Sequence, residues 1–214
     1  MTKSILITFL LFISILSFGQ HKIENKLSSK HQNIKGTKIS LIPPSNFTES
    51  ENFLGLQQTS TGSSIMIIDI PGPYSETSKG ITKENLESKG IELIKTEQLT
   101  INGLPSIFVT GKQQAYGNNY KKYVLVVGSE NETIMINGVF PEKLKKTGEA
   151  IKKSMLSVFY EADKKINPFD FLEYTIDVSE TKLKFGKSMA NSLIFTVDGQ
   201  VPTASADKTN LIVA

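Results

Sequence analysis

Two groups of side chains in this sequence are placed to do chemistry. The first lies at residues 115–120, where Tyr116 and Tyr120 bracket Gly117, Asn118 and Asn119, with Tyr123 just beyond. Aromatic rings beside amides suit recognition of a peptide or a sugar, by stacking and hydrogen bonding. Tyr116, Asn118, Asn119 and Tyr120 are therefore the candidate binding residues. The competing reading is ordinary turn chemistry with half-buried tyrosines. The second group is Asp69, followed by Pro71-Gly72-Pro73 and then Glu76. A carboxylate pair there would serve as acid and base, as in a glycosidase. Against it stands the plainer role of a carboxylate that caps a loop or ends a strand.

Other chemistry is excluded by composition. The chain has 214 residues and no cysteine, so thiolate metal sites, disulfides and a cysteine nucleophile are unavailable. Its two histidines, His21 and His31, both precede Lys38. A Ser-His-Asp triad and a histidine zinc site are thus impossible in the body beyond. All 24 basic residues are lysine, with a net charge of +3. Without the bidentate arginine fork, and with so mild a charge, no nucleic-acid partner is expected. Asp198 and Asp207 lack the spacing of a calcium loop. Ser64, Ser106 and Ser129 lie in no nucleophile elbow. No catalytic residue, metal or cofactor is expected.

The elements that must position these residues centre on 92–160. Residues 92–100 and 104–111 read as strands flanking Asn102-Gly103, a dipeptide that tolerates the positive φ of a tight hairpin. A turn at 117–119 leads into a strand at 120–127, and 129–131 leads into 132–139. Connections this short describe an antiparallel meander, since a parallel pair needs a crossover of a dozen or more residues. A helix follows, expected to start at Pro141 with Glu142 in its positive first turn. Leu144, Gly148, Ile151, Met155 and Val158 form its apolar stripe, and its lysines a solvated face. Gly148 in that stripe suggests a close approach of helix to sheet. Upstream, 37–42 and 64–70 read as strands, the latter central. Thr82 caps a short helix at 83–89, which Gly90 ends.

Residues 1–19 carry a positive n-region, an apolar run and small residues before Gln20, the pattern of a cleaved signal peptide. Export to the periplasm or the exterior is the expected localisation, with no membrane span after cleavage. Residues 20–36 are polar and aperiodic and read as a flexible leader, whose histidines are either a weak metal-binding arm or idle. Residues 37–163 form an α+β domain. Residues 164–214 read as a β-rich extension, with strands at 174–178, 182–185 and 192–197, a turn at Asp198-Gly199 and an apolar tail at 211–214. The sequence 181–185 faintly echoes 37–41, so the extension is either a small β unit or an incomplete second one.

The opening segment at 36–44, ending in Pro43-Pro44, resembles the first strand and proline of the PsbP-like superfamily. The hairpin at 99–106, the strands at 121–127 and 133–137, and the helix after Pro141 resemble its central and closing halves. The resemblance spans 36–160 and rests on element order. It implies an antiparallel sheet flanked by helices, serving as a binding or accessory module, and carries over no active-site residue. The expected function is an exported, non-catalytic module that recognises a protein or an envelope component. The alternative is a carboxylate-based hydrolase acting on glycans.

Overall fold

The computed structural model describes residues 21–169, 174–189 and 192–213. In chain order its elements are β1 (His21–Ile23), β2 (Gln32–Asn33), β3 (Ile39–Leu41), β4 (Thr48–Glu49), β5 (Gly55–Gln58), β6 (Ser63–Pro71), α1 (Tyr74–Lys79) and α2 (Lys83–Glu87). There follow β7 (Ile91–Ile101), β8 (Leu104–Ala115), β9 (Asn118–Gly128), β10 (Glu132–Pro141), α3 (Lys145–Leu156), β11 (Phe159–Tyr160), β12 (Lys184–Met189), β13 (Ser192–Thr196) and β14 (Asn210–Val213). The proposed signal segment lies outside the described residues.

The fold is α+β. Eight strands form the main sheet in the order β1-β7-β8-β9-β10-β6-β5-β4. Every pairing is antiparallel except β1 with β7. The meander expected at 92–139 is present, with Asn102 and Gly103 at φ of 48° and 79° in the first hairpin turn. β6 lies inside the sheet, between β10 and β5, as its apolar run suggests.

Each face of the sheet has its own apolar core. On one, Phe108, Leu125, Ile136 and Phe140 pack with Ile151 and Met155 of α3 and with Ile39 and Leu41 of β3. On the other, Ile107, Val109, Val124 and Val126 pack with Leu86 of α2 and half-buried Tyr74 and Ile81 around α1. A three-stranded sheet, β11-β3-β2, completes the first layer. Thr82 caps α2 as expected, its hydroxyl accepting from Asn85 N at 3.2 Å. α1, which the proline-bounded segment gave no reason to expect, is a short six-residue helix after Pro73.

Several expectations need correction. The supposed flexible leader is built into the fold. β1 pairs with β7, placing Ile23 beside Ile101, and Ile34 is fully buried. Asn25 accepts from Asn102 Nδ2 at 3.1 Å and donates to Asn102 Oδ1 at 2.7 Å, and its amide holds the carbonyls of Leu156 and Val158 at 2.9 Å. The strands involved are two or three residues long, too short to leave a periodic signature. His31 is not idle: its Nε2 meets Ser157 O at 3.0 Å.

Pro141 ends β10 rather than starting the helix, and α3 begins at Lys145. A proline fits the end of a strand, where its missing N–H costs no ladder bond. Glu142 serves the sheet end instead, donating its N–H to Asn119 O at 3.0 Å and pairing with Lys112 at 3.0 Å. Residues 174–178 are not a strand. Asp177 accepts from Ser179 N at 2.8 Å and Thr181 N donates to Val178 O, which turns the backbone there. The extension's sheet is β12-β13-β14, with the Phe185 ring tilted against Phe169 and edge-to-face with Phe195, at 5.1 and 5.8 Å between ring centroids.

Candidate functional site

Successive hairpins put the β8–β9 turn at one end of the main sheet, and the β7–β8 and β9–β10 turns at the other. The tyrosine tip occupies the first end. Its turn is two residues long, Tyr116 and Gly117, with φ of 50° and 73° and Ala115 opposite Asn118 as the last pair. Positive φ at both positions is the type I′ geometry, which matches the twist of the strands. The expected turn at 117–119 is therefore displaced by one residue, and Asn118 and Asn119 are strand residues.

Asparagine or glycine ordinarily fills the first turn position. A tyrosine there costs about 1–2 kcal/mol of backbone strain. Tyr116 is also fully exposed, at 101% of its reference surface. Asn118 Nδ2 donates to Tyr116 O at 3.1 Å, bracing the turn. Tyr120 sits lower, half-buried between Gln113 and Pro141. So the tip brings Tyr116, Asn118 and Asn119 together in solvent, and leaves Tyr120 as a supporting rung. Asn119, with Glu92, Lys112, Gln114 and Glu142, also lines a polar hollow of about 390 Å³ beside the tip. Lys122, lowered in pKa by burial, donates to Gln113 Oε1 at 3.1 Å beneath.

The opposite end holds a site that the local sequence pattern does not reveal. Glu132 opens β10 opposite Pro71, and Ile134 opposes Asp69, so Asp69 and Glu132 stand diagonally on one face of adjacent strands. Lys38, just before β3, donates to both Glu132 oxygens at 2.8 and 3.0 Å. Tyr160 of β11 donates its hydroxyl to Glu132 Oε1, and the Lys38 ammonium lies 6.0 Å from its ring centre. Lys38 flanks the small sheet and Tyr160 lies in it, while 69 and 132 belong to the large one. The four groups form a polar clasp between the two sheets.

The clasp sets its own protonation. Burial would raise Glu132, but hydrogen bonds from Lys38 and Tyr160 hold it below the usual value. Asp69 is raised, first by loss of hydration and then by the charge of Glu132, with Lys38 opposing. Tyr160 is raised well above an ordinary phenol by burial and by its bond to Glu132. Glu76, the suggested partner of Asp69, is exposed on α1 and pairs with Lys79 at 2.7 Å. The carboxylate beside Asp69 is Glu132, 63 residues away in sequence and brought there only by the β6–β10 register.

In the extension, Asp198 organises its loop. It accepts from Thr203 Oγ1 at 2.7 Å and from the Gln200, Ala204 and Ser205 amides, which hold its carboxyl well below the usual range. Among the described residues no His, Asp and Glu cluster suits a metal ion, and no helix is long and apolar enough to cross a membrane.

No protein-family model and no curated protein matches the chain. Solved structures similar to it include a Bacteroides thetaiotaomicron protein, at 15% identity and a TM-score of 0.43 over 64% of this chain and 50% of that one. Mycobacterium tuberculosis LpqN, described as involved in cell envelope biogenesis, is similar at 14% identity and a TM-score of 0.47, over 57% of this chain and 83% of LpqN. The cyanobacterial PsbP of Synechocystis is similar at 14% identity and 0.43, over 63% and 94%. The likeness is one of fold. The chain spans half the length of the Bacteroides protein.

Proposed function

We propose that this protein is an exported, non-catalytic binding module that recognises a protein or an envelope component through its tyrosine tip. The observation that carries the reading is Tyr116, a fully exposed aromatic ring held at φ 50° in a turn that favours asparagine or glycine. Backbone strain of this kind persists where a position is kept for something other than stability. A rigid exposed ring is also the side chain that gains most when a partner covers it. Asn118 and Asn119 supply hydrogen bonding beside the ring, and Tyr120 supports the strand below. Export rests on the signal-like pattern of residues 1–19.

The second reading, a carboxylate hydrolase acting on glycans, is favoured by one observation: Asp69 and Glu132 are shifted in opposite directions, the pattern of an acid and base pair. It stands second because both carboxylates come from one wall, and Glu132 is already engaged by Lys38 and Tyr160. The test is capture from an envelope extract by the mature protein and by Tyr116→Ser. A species held by the first and lost from the second, at equal melting temperature, supports the tip. Equal capture by both rejects it.

A further inference from the structure

The clasp closes one side of a groove of about 500 Å³ between the two sheets, within the range of small-ligand pockets. Its walls are apolar: Ile101, Leu104 and Val127 from the large sheet, and Val158 from the connection between α3 and β11. Its polar groups converge from the β7–β8 turn, the β9–β10 turn and the clasp: Asn102, already bonded to Asn25, with Ser129, Asn131, Glu132 and Tyr160. Burying a charge pair adds little net stability compared with apolar residues. Of the clasp, Glu132 of the large sheet and Tyr160 of the small one reach the groove, and half-buried ionisable groups that meet at a cleft mark a candidate site.

We propose that this groove binds a neutral, hydroxyl-rich ligand the size of one sugar residue, independently of the tyrosine tip. The charges decide the class. Lys38 pairs with Glu132 at 2.8 Å, and Asp69, the clasp's other carboxylate, does not line the groove, so the lining calls for neither a cation nor an anion. The open valences are mixed. Ser129 Oγ accepts from Asn131 N at 3.2 Å, which leaves its O–H to donate. Tyr160 gives its proton to Glu132 and keeps an acceptor lone pair. Asn131 offers an exposed amide with both functions. Donors and acceptors beside an apolar wall match a sugar ring, which carries hydroxyls on its rim and C–H groups on its face. A fatty acid or a phosphate matches less well, since each needs an unpaired cation.

The test is an amide and methyl NMR titration of the mature protein with glucose and N-acetylglucosamine tetramers, and with octanoate and inorganic phosphate as comparisons. The expected result is shifts at Val127, Ser129, Asn131 and Val158 with at least one saccharide and with neither anion. Asn131→Ala and Tyr160→Phe should each weaken that binding about tenfold, the loss of one good hydrogen bond, with Asn131→Ala melting as the parent does. No saccharide shift at tens of millimolar, preferential shifts with octanoate or phosphate, or unchanged affinity in both variants would overturn the proposal. Saccharide shifts confined to 116–120 would also overturn it, and would assign the sugar to the tip instead.

Discussion

The ring of Phe140 occupies the space that a side chain on Gly148 would need. A Cβ at Gly148 would fall 2.3 Å from two of its ring carbons. The absence of a side chain in the apolar stripe of α3 is thus what lets the helix lie on β10. The same closeness recurs at Gly138, where a Cβ would lie 2.6 Å from Ile151 Cγ2 and 2.8 Å from Met155 Sδ.

Gly148→Ala should therefore destabilise the protein. Alanine gains about 1 kcal/mol of helix propensity, but forcing apart a packed ring costs about 1–3 kcal/mol. A lowered melting temperature is expected, and a raised one would show that the contact yields.

Ile151→Asp should unfold the body, because Ile151 is wholly buried against the sheet and an unpaired carboxylate there costs several kcal/mol. The matched control is Lys153→Asp, on the exposed side of the same helix, where a charge change near the C-terminus is worth under about 1 kcal/mol. Lys152 is a poor control. It belongs to the face expected to be solvated, yet its ammonium lies 5.2 Å from the Phe108 ring centre and 3.9 Å from Glu97. Equal thermal shifts for the two variants would contradict the packing.

The stripe of α3, the Asn102-Gly103 hairpin and the cap at Thr82 were legible in the sequence because each is a local signal, set by residues within one or two turns. The clasp was not. Lys38, Asp69, Glu132 and Tyr160 carry no local pattern, and only the pairing of β10 with β6 and of β11 with β3 assembles them. The leader misled for a related reason: its order comes from Asn25 and Asn102, 77 residues apart. At the tip, the reversal beside Tyr116 was legible, but the turn register was not, and Tyr120 is half-buried rather than solvent-facing. The strained position fell to Tyr116, against the preference for Asn or Gly that local turn chemistry expresses.

Stability should depend on Glu132 at acid pH. Its pKa is lowered in the fold, so its contribution is present above the ordinary carboxylate value and lost as pH falls through the folded one. Asp69 acts in the opposite sense. Its pKa is raised, so its contribution is present at low pH and lost as pH rises through the folded value. Glu132→Gln should accordingly lose less stability than the parent on acidification, measured as the change in melting temperature from neutral pH to below the carboxylate range. An identical slope in both proteins would show that the clasp does not contribute.

Relief of strain should be measurable at the tip. Tyr116→Asn and Tyr116→Gly each place a residue that tolerates positive φ in the turn, and should raise stability by about 1 kcal/mol. If either lowers it, the tyrosine is a structural residue and not one kept for binding.

The most direct measurement is photo-crosslinking in intact cells, with a benzophenone amino acid in place of Tyr116 and, as a control, in place of exposed Lys79 on α1. A binding tip predicts a light-dependent adduct of discrete mass from position 116, outside the cytoplasm, that position 79 does not give. No adduct from position 116, or the same adducts from both positions, would contradict it.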